Sequence, residues 1–350
     1  MSLYEILRPL LFRVPPETAH SIVHTGLKAV DGTPLPSLCR RGLAVEDDRL
    51  EVSAFGQTFP NPVGVAAGFD KNAEVPSALY GLGFGHVEVG GVTAEPQEGN
   101  PRPRLFRLVE DQGLVNRMGL NNDGADIVGR RLASSDVPFP VGVNLAKSES
   151  TPTEAAPADY RYTYERVAEG GDFFVVNVSC PNSEGFRDLQ NRDTLEGILG
   201  ELTDAGAAPL LVKLSPDLPE PAIEETLEVV EKYDLDGVIA TNTTTDRPAS
   251  LGSPSRVEEG GLSGKPIESE ATKMVRFVAR RTDAPVVGVG GVFTAADAYR
   301  KIRAGASLVQ LYTGFVYRGP TIARSINRGL LTLLERDGFD HVSEAVGADL

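Results

Sequence analysis

Apolar positions near the start of the chain recur at helical spacing. Leu3, Ile6, Leu7, Leu10, Leu11 and Val14 form one stripe, which the Pro15-Pro16 pair ends. Ala19, Ile22, Val23, Gly26, Leu27 and Val30 form a second, closed by Gly32 and Pro34. Two short amphipathic helices are predicted, neither long enough to be stable alone. Each must lie on the rest of the protein, on a partner or on a membrane surface.

From about residue 50 the texture changes. Residues 50–54 and 57–59 alternate around Gly56 and predict a hairpin. Eight short apolar runs follow, starting at Val63, Val87, Val141, Phe173, Leu210, Gly237, Val286 and Leu308. Most are continuous and β-branched, as strands buried on both faces should be. Helical patterns such as Ile223, Leu227, Val230 and Met274, Phe277, Val278 separate them. Eight buried strands interleaved with helices predict an α/β fold of the (β/α)8 TIM barrel type. A doubly wound sheet would favour a G-x-G-x-x-G turn after its first strand, which is absent. The stretch from Val92 to Asn122 is too long for a bare connection and is expected to cover the barrel mouth.

Composition narrows the class. With 41% hydrophobic residues in 350, disorder is excluded, and no apolar run is long enough for a membrane-spanning helix. A formal net charge of −15 disfavours nucleic acid as a partner. Acid-rich composition, with Arg outnumbering Lys, suits a high-salt, halophilic cytoplasm in which repulsion is screened. Cys39 and Cys180 provide neither a disulfide framework nor zinc spacing. The N-terminus lacks the apolar core of a signal peptide, so a cytoplasmic location is expected.

The chemistry of a barrel sits at its strand C-termini. There the sequence places Ala67, Gly68, Phe69, Asp70 and Lys71, then Asn144, Asn177, Cys180 and Asn182, Lys213, Thr241, Asn242, Thr243, and finally Gly291, Tyr312 and Thr313. No carboxylate pair for glycoside hydrolysis is seen, and no metal site, since none of the four histidines stands at such an end. Amides and hydroxyls suit a flat heterocycle rich in carbonyl and N–H groups. Glycines after the last two strands suit a phosphate. A lysine within a buried strand calls for an anion: FMN answers both needs at once, and a structural ion pair within the protein is the alternative for Lys213.

Six motifs then carry a family resemblance. Ala66-Ala-Gly-Phe-Asp-Lys71, Gly99-Asn-Pro-Arg-Pro-Arg104, Asn116-Arg-Met-Gly-Leu-Asn121, Asn177-Val-Ser-Cys-Pro-Asn182, Ala240-Thr-Asn-Thr-Thr244 and Gly260-Gly-Leu-Ser-Gly-Lys265 resemble those of dihydroorotate dehydrogenases, in the same order. The N-terminal helical pair and the Gly99 to Arg104 segment resemble the class 2, quinone-reducing branch. The resemblance implies oxidation of dihydroorotate to orotate in pyrimidine biosynthesis. FMN contacts are implied for Ala67 to Lys71, Gly91, Asn144, Asn177, Lys213, Thr241, Gly264, Gly291, Tyr312 and Thr313. Substrate contacts are implied for Lys71, Asn116, Arg117, Met118, Gly119, Leu120, Asn177, Asn182, Asn242 and Thr243. His20, Arg107 and Tyr312 match positions that line a quinone tunnel. Residues 1–45 would then form the quinone-access extension, in peripheral contact with the cytoplasmic side of the membrane, and residues 46–350 the FMN barrel.

The departures are specific. Class 2 members carry Ser as catalytic base where this chain has Cys180, the class 1 pattern. Thr and Phe are the family residues at Ser183 and Leu120, and Thr is frequent at Gly91. A class 1-like enzyme using fumarate, or NAD through a partner subunit, is the alternative, and the helical pair argues against it. A thiol of pKa about 8.5 provides thiolate near neutrality, so Cys180 is chemically competent as the base.

Overall fold

The computed structural model describes residues 3–179, 189 and 191–350. Three helices come first: α1 (Leu3–Leu11), α2 (Pro16–Val30) and α3 (Leu35–Leu43). Prolines begin two of them: Pro16 is the first residue of α2, and Pro36 falls in the first turn of α3. There a missing N–H costs nothing. The third helix was not expected, because Pro34 read as the end of the helical pattern although proline is tolerated at a helix start.

The strands follow. β1 (Val52–Ala54) and β2 (Gln57–Phe59) form the expected hairpin. Then come β3 (Val63–Val65), β4 (His86–Val92), β5 (Leu105–Leu108), β6 (Gly113–Asn116), β7 (Val141–Leu145) and β8 (Phe173–Asn177). The last five are β9 (Leu210–Leu214), β10 (Gly237–Ala240), β11 (Gly261–Gly264), β12 (Val286–Val289) and β13 (Ala306–Leu311). Eight close a parallel barrel in the order β3-β4-β7-β8-β9-β10-β12-β13. All eight predicted runs are barrel strands, and β7, β8 and β9 are buried at every residue. Continuous apolar runs arise here because the barrel interior covers one strand face and helices the other.

The hairpin plugs the floor. Phe55 and Phe59 pack against Phe173, and Phe59 also meets the His86 ring edge-on at 5.3 Å. Gly64 is required opposite that ring, since a Cβ there would stand 2.1 Å from His86 Nε2. At the other end, the Val92–Asn122 insertion supplies β5 and β6, which pair with β11 as a three-stranded antiparallel sheet. Arg104 and Arg102 both bond Glu17 of α2, at 2.8 Å and 3.1 Å, and so tie the insertion to the N-terminal helices. Partial burial would raise the Glu17 carboxyl, yet those two guanidiniums hold it below the usual carboxylate range.

Candidate active site

Strand register decides which side chains meet at the mouth. Asn177 pairs with Lys213 across β8 and β9, and Asn144 pairs with Gly90 across β7 and β4. Lys213 Nζ donates to Glu88 Oε1 and Oε2, at 3.0 and 3.2 Å. Asn144 Nδ2 donates to the same carboxylate at 2.6 Å, and Asn177 Nδ2 donates to Asn144 Oδ1 at 2.9 Å. Asn177 Oδ1 then accepts from Ser179 Oγ at 3.2 Å and from Asn242 Nδ2 at 3.5 Å. Asn242 Oδ1 accepts from the Thr243 amide at 2.8 Å.

This chain has one consistent polarity. An ionised carboxylate only accepts hydrogen bonds, so Asn144 must turn its NH2 to Glu88 and its carbonyl to Asn177. Asn177 must then present its carbonyl to Ser179 and Asn242. The ion pair at the base therefore orients every amide above it. Glu88 is the residue that the sequence reading did not name: the anion facing Lys213 comes from β4, so the structural ion pair offered as the alternative to a flavin is present. The signal was present, because alternation along β4 puts His86, Glu88 and Gly90 on one side.

A cleft of about 180 Å³ opens above this network. Of the predicted residues, Ala67, Gly68, Lys71, Gly91, Asn116, Met118, Gly119, Leu120, Asn177, Lys213, Thr241, Asn242, Thr243, Gly264, Gly291, Tyr312 and Thr313 line it. Four do not. Asn144 lies fully buried beneath, acting through Asn177. Arg117 turns outward, pairing with Glu258 at 2.9 Å and lying over the Phe106 ring. Asp70 is consumed by the loop that follows β3, accepting the amides of Asn72, Glu74 and Val75. Phe69 faces a second cavity. Cys180 and Asn182 lie outside the described residues. Gly290, one of the glycines expected to suit a phosphate, lines the cleft too, as do Ser263 and Asn121, which were not foreseen as contacts.

Charge is sparse in the cleft. Burial draws the Lys71 ammonium down to about 8, Arg104 adds to the effect, and Glu17 and Asp70 oppose it. At the far end Gly264, Gly290 and Gly291 have φ of +98°, +106° and +73°, conformations that favour glycine. A Cβ on Gly291 would stand 2.3 Å from Glu268 Cβ, so this turn keeps its backbone bare to the cleft.

The second cavity, about 390 Å³, lies between α1, α2 and the barrel. That is the size of a small-molecule pocket. Its walls are mostly apolar, with Leu11, Phe12, Val23, Leu27, Phe69 and Phe315 among them. The three predicted tunnel residues His20, Arg107 and Tyr312 all line it. Burial holds the His20 imidazole neutral, with a pKa of about 3, and Lys71 and His24 push the same way. Burial raises the Tyr312 phenol. Arg107 is anchored by Nη1 donating to the Val14 carbonyl at 2.6 Å.

Fold and site together define a (β/α)8-barrel enzyme with an amide-lined mouth and an adjoining apolar cavity. The family model for dihydroorotate dehydrogenase matches residues 49–334. A protein named dihydroorotate dehydrogenase (quinone) from Haloarcula marismortui is 69% identical over 347 residues, covering 99% of each chain. Its namesake from Natronomonas pharaonis is 67% identical over the full length of both. Among solved structures, a crystal structure of DHODH in complex with ferulenol from Eimeria tenella superposes with a TM-score of 0.87, at 38% identity, covering 95% of each chain. The chain belongs to the dihydroorotate dehydrogenase family. Its acid-rich composition agrees with relatives from halophilic archaea.

Proposed function

We propose that the protein oxidises (S)-dihydroorotate to orotate, with FMN at the barrel mouth and a quinone in the apolar cavity as electron acceptor. The observation that carries this reading is the contact between two chemically distinct cavities. Leu105, Leu114 and Tyr312 line both, so one layer of side chains separates a cleft that carries amides and two lysines from one that is almost wholly apolar. High identity to quinone-dependent relatives supports the choice of acceptor.

The residues present suit FMN. The bare turns at Gly264, Gly290 and Gly291 suit its phosphate, and the amide and hydroxyl groups of Asn177, Thr241 and Thr313 suit the edges of its ring. Bound there, FMN would supply the acceptor for the hydride on C6 of the substrate and the link to the second acceptor. Asn177 and Asn242, with their orientations set from Glu88, hold the flat substrate by directed hydrogen bonds, and Lys71 meets its carboxylate. Lys213 lines the cleft with its charge shared by Glu88, which keeps a cation beside the ring site without leaving it unpaired. Cys180 is assigned the C5 proton, on its place between Asn177 and Asn182 in the sequence.

Peripheral membrane contact, on the cytoplasmic side, completes the proposal. No helix among the described residues is long and apolar enough to cross a membrane. Of the eleven large apolar side chains exposed among them, seven lie on α1 to α3, including Ile6, Leu10, Ile22 and Leu38. Such a patch beside a cavity for an apolar acceptor suits a bilayer surface.

Anaerobic spectroscopy tests the reading. The purified protein should be yellow, bleach on addition of dihydroorotate and recolour with ubiquinone or menaquinone. Recolouring by fumarate or NAD alone would move it to the class 1 chemistry. A failure to bleach would leave only a flavin-binding scaffold.

A further inference from the structure

His24 stands one helical turn beyond His20 on α2 and has no part in the chemistry described so far. Its ring lies between two carboxylates, with Nε2 3.6 Å from Asp70 Oδ1 and Nδ1 3.7 Å from Glu74 Oε2. On the inner side its centroid is 5.7 Å from that of His20, which in turn stacks on Tyr312 at 6.4 Å. On the outer side Glu74 pairs with Lys28 and lies 3.7 Å from Arg131 Nη2, and both cations reach solvent. Glu74, His24 and His20 therefore form a file of proton-exchanging groups from the surface to the cavity.

Proton accounting calls for such a file. Reducing a quinone to its quinol takes two electrons and two protons. The hydride leaving C6 provides both electrons and one of those protons. The C5 proton goes to the base at the mouth. One proton per turnover must therefore reach the quinone from solvent, through a cavity wall that is otherwise largely apolar. His20 cannot store it, because burial keeps that imidazole neutral.

We propose that His24 relays this proton, taking it from the Glu74 side and passing it through one bridging water to His20, which protonates the quinone oxygen. One O–H bond forms on the quinone, one proton leaves solvent, and both imidazoles end in the state in which they began. Asp70, fixed by three backbone amides, holds the His24 ring in place. Besides these groups, the charges facing the file are Lys71 beside His20 and the Lys28 and Arg131 cations behind Glu74. The inference rests on the quinone occupying the apolar cavity.

Stopped-flow on the holoenzyme separates the two half-reactions. In His24→Phe, reoxidation of the dihydroorotate-reduced enzyme by a soluble ubiquinone analogue should slow about 100-fold, the usual scale for lost proton transfer. Bleaching by dihydroorotate should keep its rate, and added imidazole should restore part of the loss. Unchanged reoxidation overturns the relay, and so does a loss confined to the quinone KM. If His24→Phe does not hold FMN, Glu74→Gln is read by the same criteria. Ala19→Trp, which fills the cavity, tells the two readings apart. If it leaves quinone reoxidation intact, the acceptor binds elsewhere and the relay falls with the cavity. If it blocks reoxidation while His24→Phe does not, the relay alone fails.

Discussion

Replacing Glu88 by Leu tests whether the buried ion pair organises the mouth. Glu88 is wholly buried and Lys213 nearly so, and the carboxylate accepts both Lys213 Nζ and Asn144 Nδ2. Removing it strands an ammonium in the barrel interior, a loss of about 3–5 kcal/mol. With an unfolding entropy of about 2.1 cal/mol/K per residue, a chain of 350 residues should lose about 4–7 °C in Tm. Replacing both residues, as Glu88→Leu with Lys213→Met, removes the stranded charge and should recover most of that stability. Activity should not return with it. Without Glu88 nothing compels Asn144 to face its carbonyl towards Asn177, and misdirected amides at the substrate should cost about 100-fold in turnover. Thermal melts by circular dichroism in concentrated salt, beside anaerobic flavin reduction, give both numbers. A single variant melting within about 1 °C of the wild type would refute the reasoning, as would a double variant that regains full activity.

Three further outcomes follow from the geometry. Lys71 titrates near 8 because burial disfavours its ammonium; the cation is present below that pH and lost above it. Orotate affinity, read from flavin absorbance, should fall as pH rises past about 8 and be pH-independent in Lys71→Met. Replacing Cys180 with Ser should move the optimum for flavin reduction to higher pH, since an alcohol yields its proton less readily than a thiol; an unmoved profile would count against thiolate chemistry. Gly291→Ala forces a Cβ to 2.4 Å from Glu268 Cα at a φ of +73°. It should cost about 1–3 kcal/mol and lower the FMN content, so a wild-type melt with full flavin occupancy would contradict the cradle.

Periodicity made the barrel readable because its strands are buried on both faces, and unbroken apolar runs such as the Phe-Phe-Val-Val stretch that opens β8 have no competing pattern. The floor hairpin was legible for the opposite reason, its strict alternation around Gly56. α3 was hidden by prolines that punctuate loops and helix starts alike. Most of the cleft followed from the rule that barrel chemistry sits at strand C-termini. The rule could not tell a contact from a support: Asn144 and Asp70 stand at such ends yet act beneath the surface, and Arg117 turns away to Glu258. Glu88 escaped notice because it lies in mid-strand, where local pattern marks it as polar but only the register across four strands shows that it meets Lys213. His24 was given no role because its carboxylate neighbours, Asp70 and Glu74, come from the loop after β3, some fifty residues away.

The insertion and the N-terminal helices act as a single device. β5 and β6 contribute Leu105 and Leu114 to the wall between the two cavities, and Tyr312 completes it from the end of β13. The same insertion is gripped by α2 through Arg102 and Arg104 on Glu17, and Arg107 donates to the carbonyls of Phe12 and Val14 just ahead of that helix. A helical pair too short to fold alone thus gains its position from the segment that walls the barrel mouth. Detaching those contacts would open the apolar cavity and loosen the lid over the mouth together. Under the proposed function a wall this thin would let electrons cross while a pyrimidine and an apolar acceptor each stay in a separate cavity, so the guanidiniums holding the wall in place would matter to both half-reactions although none of them need touch the bond being broken.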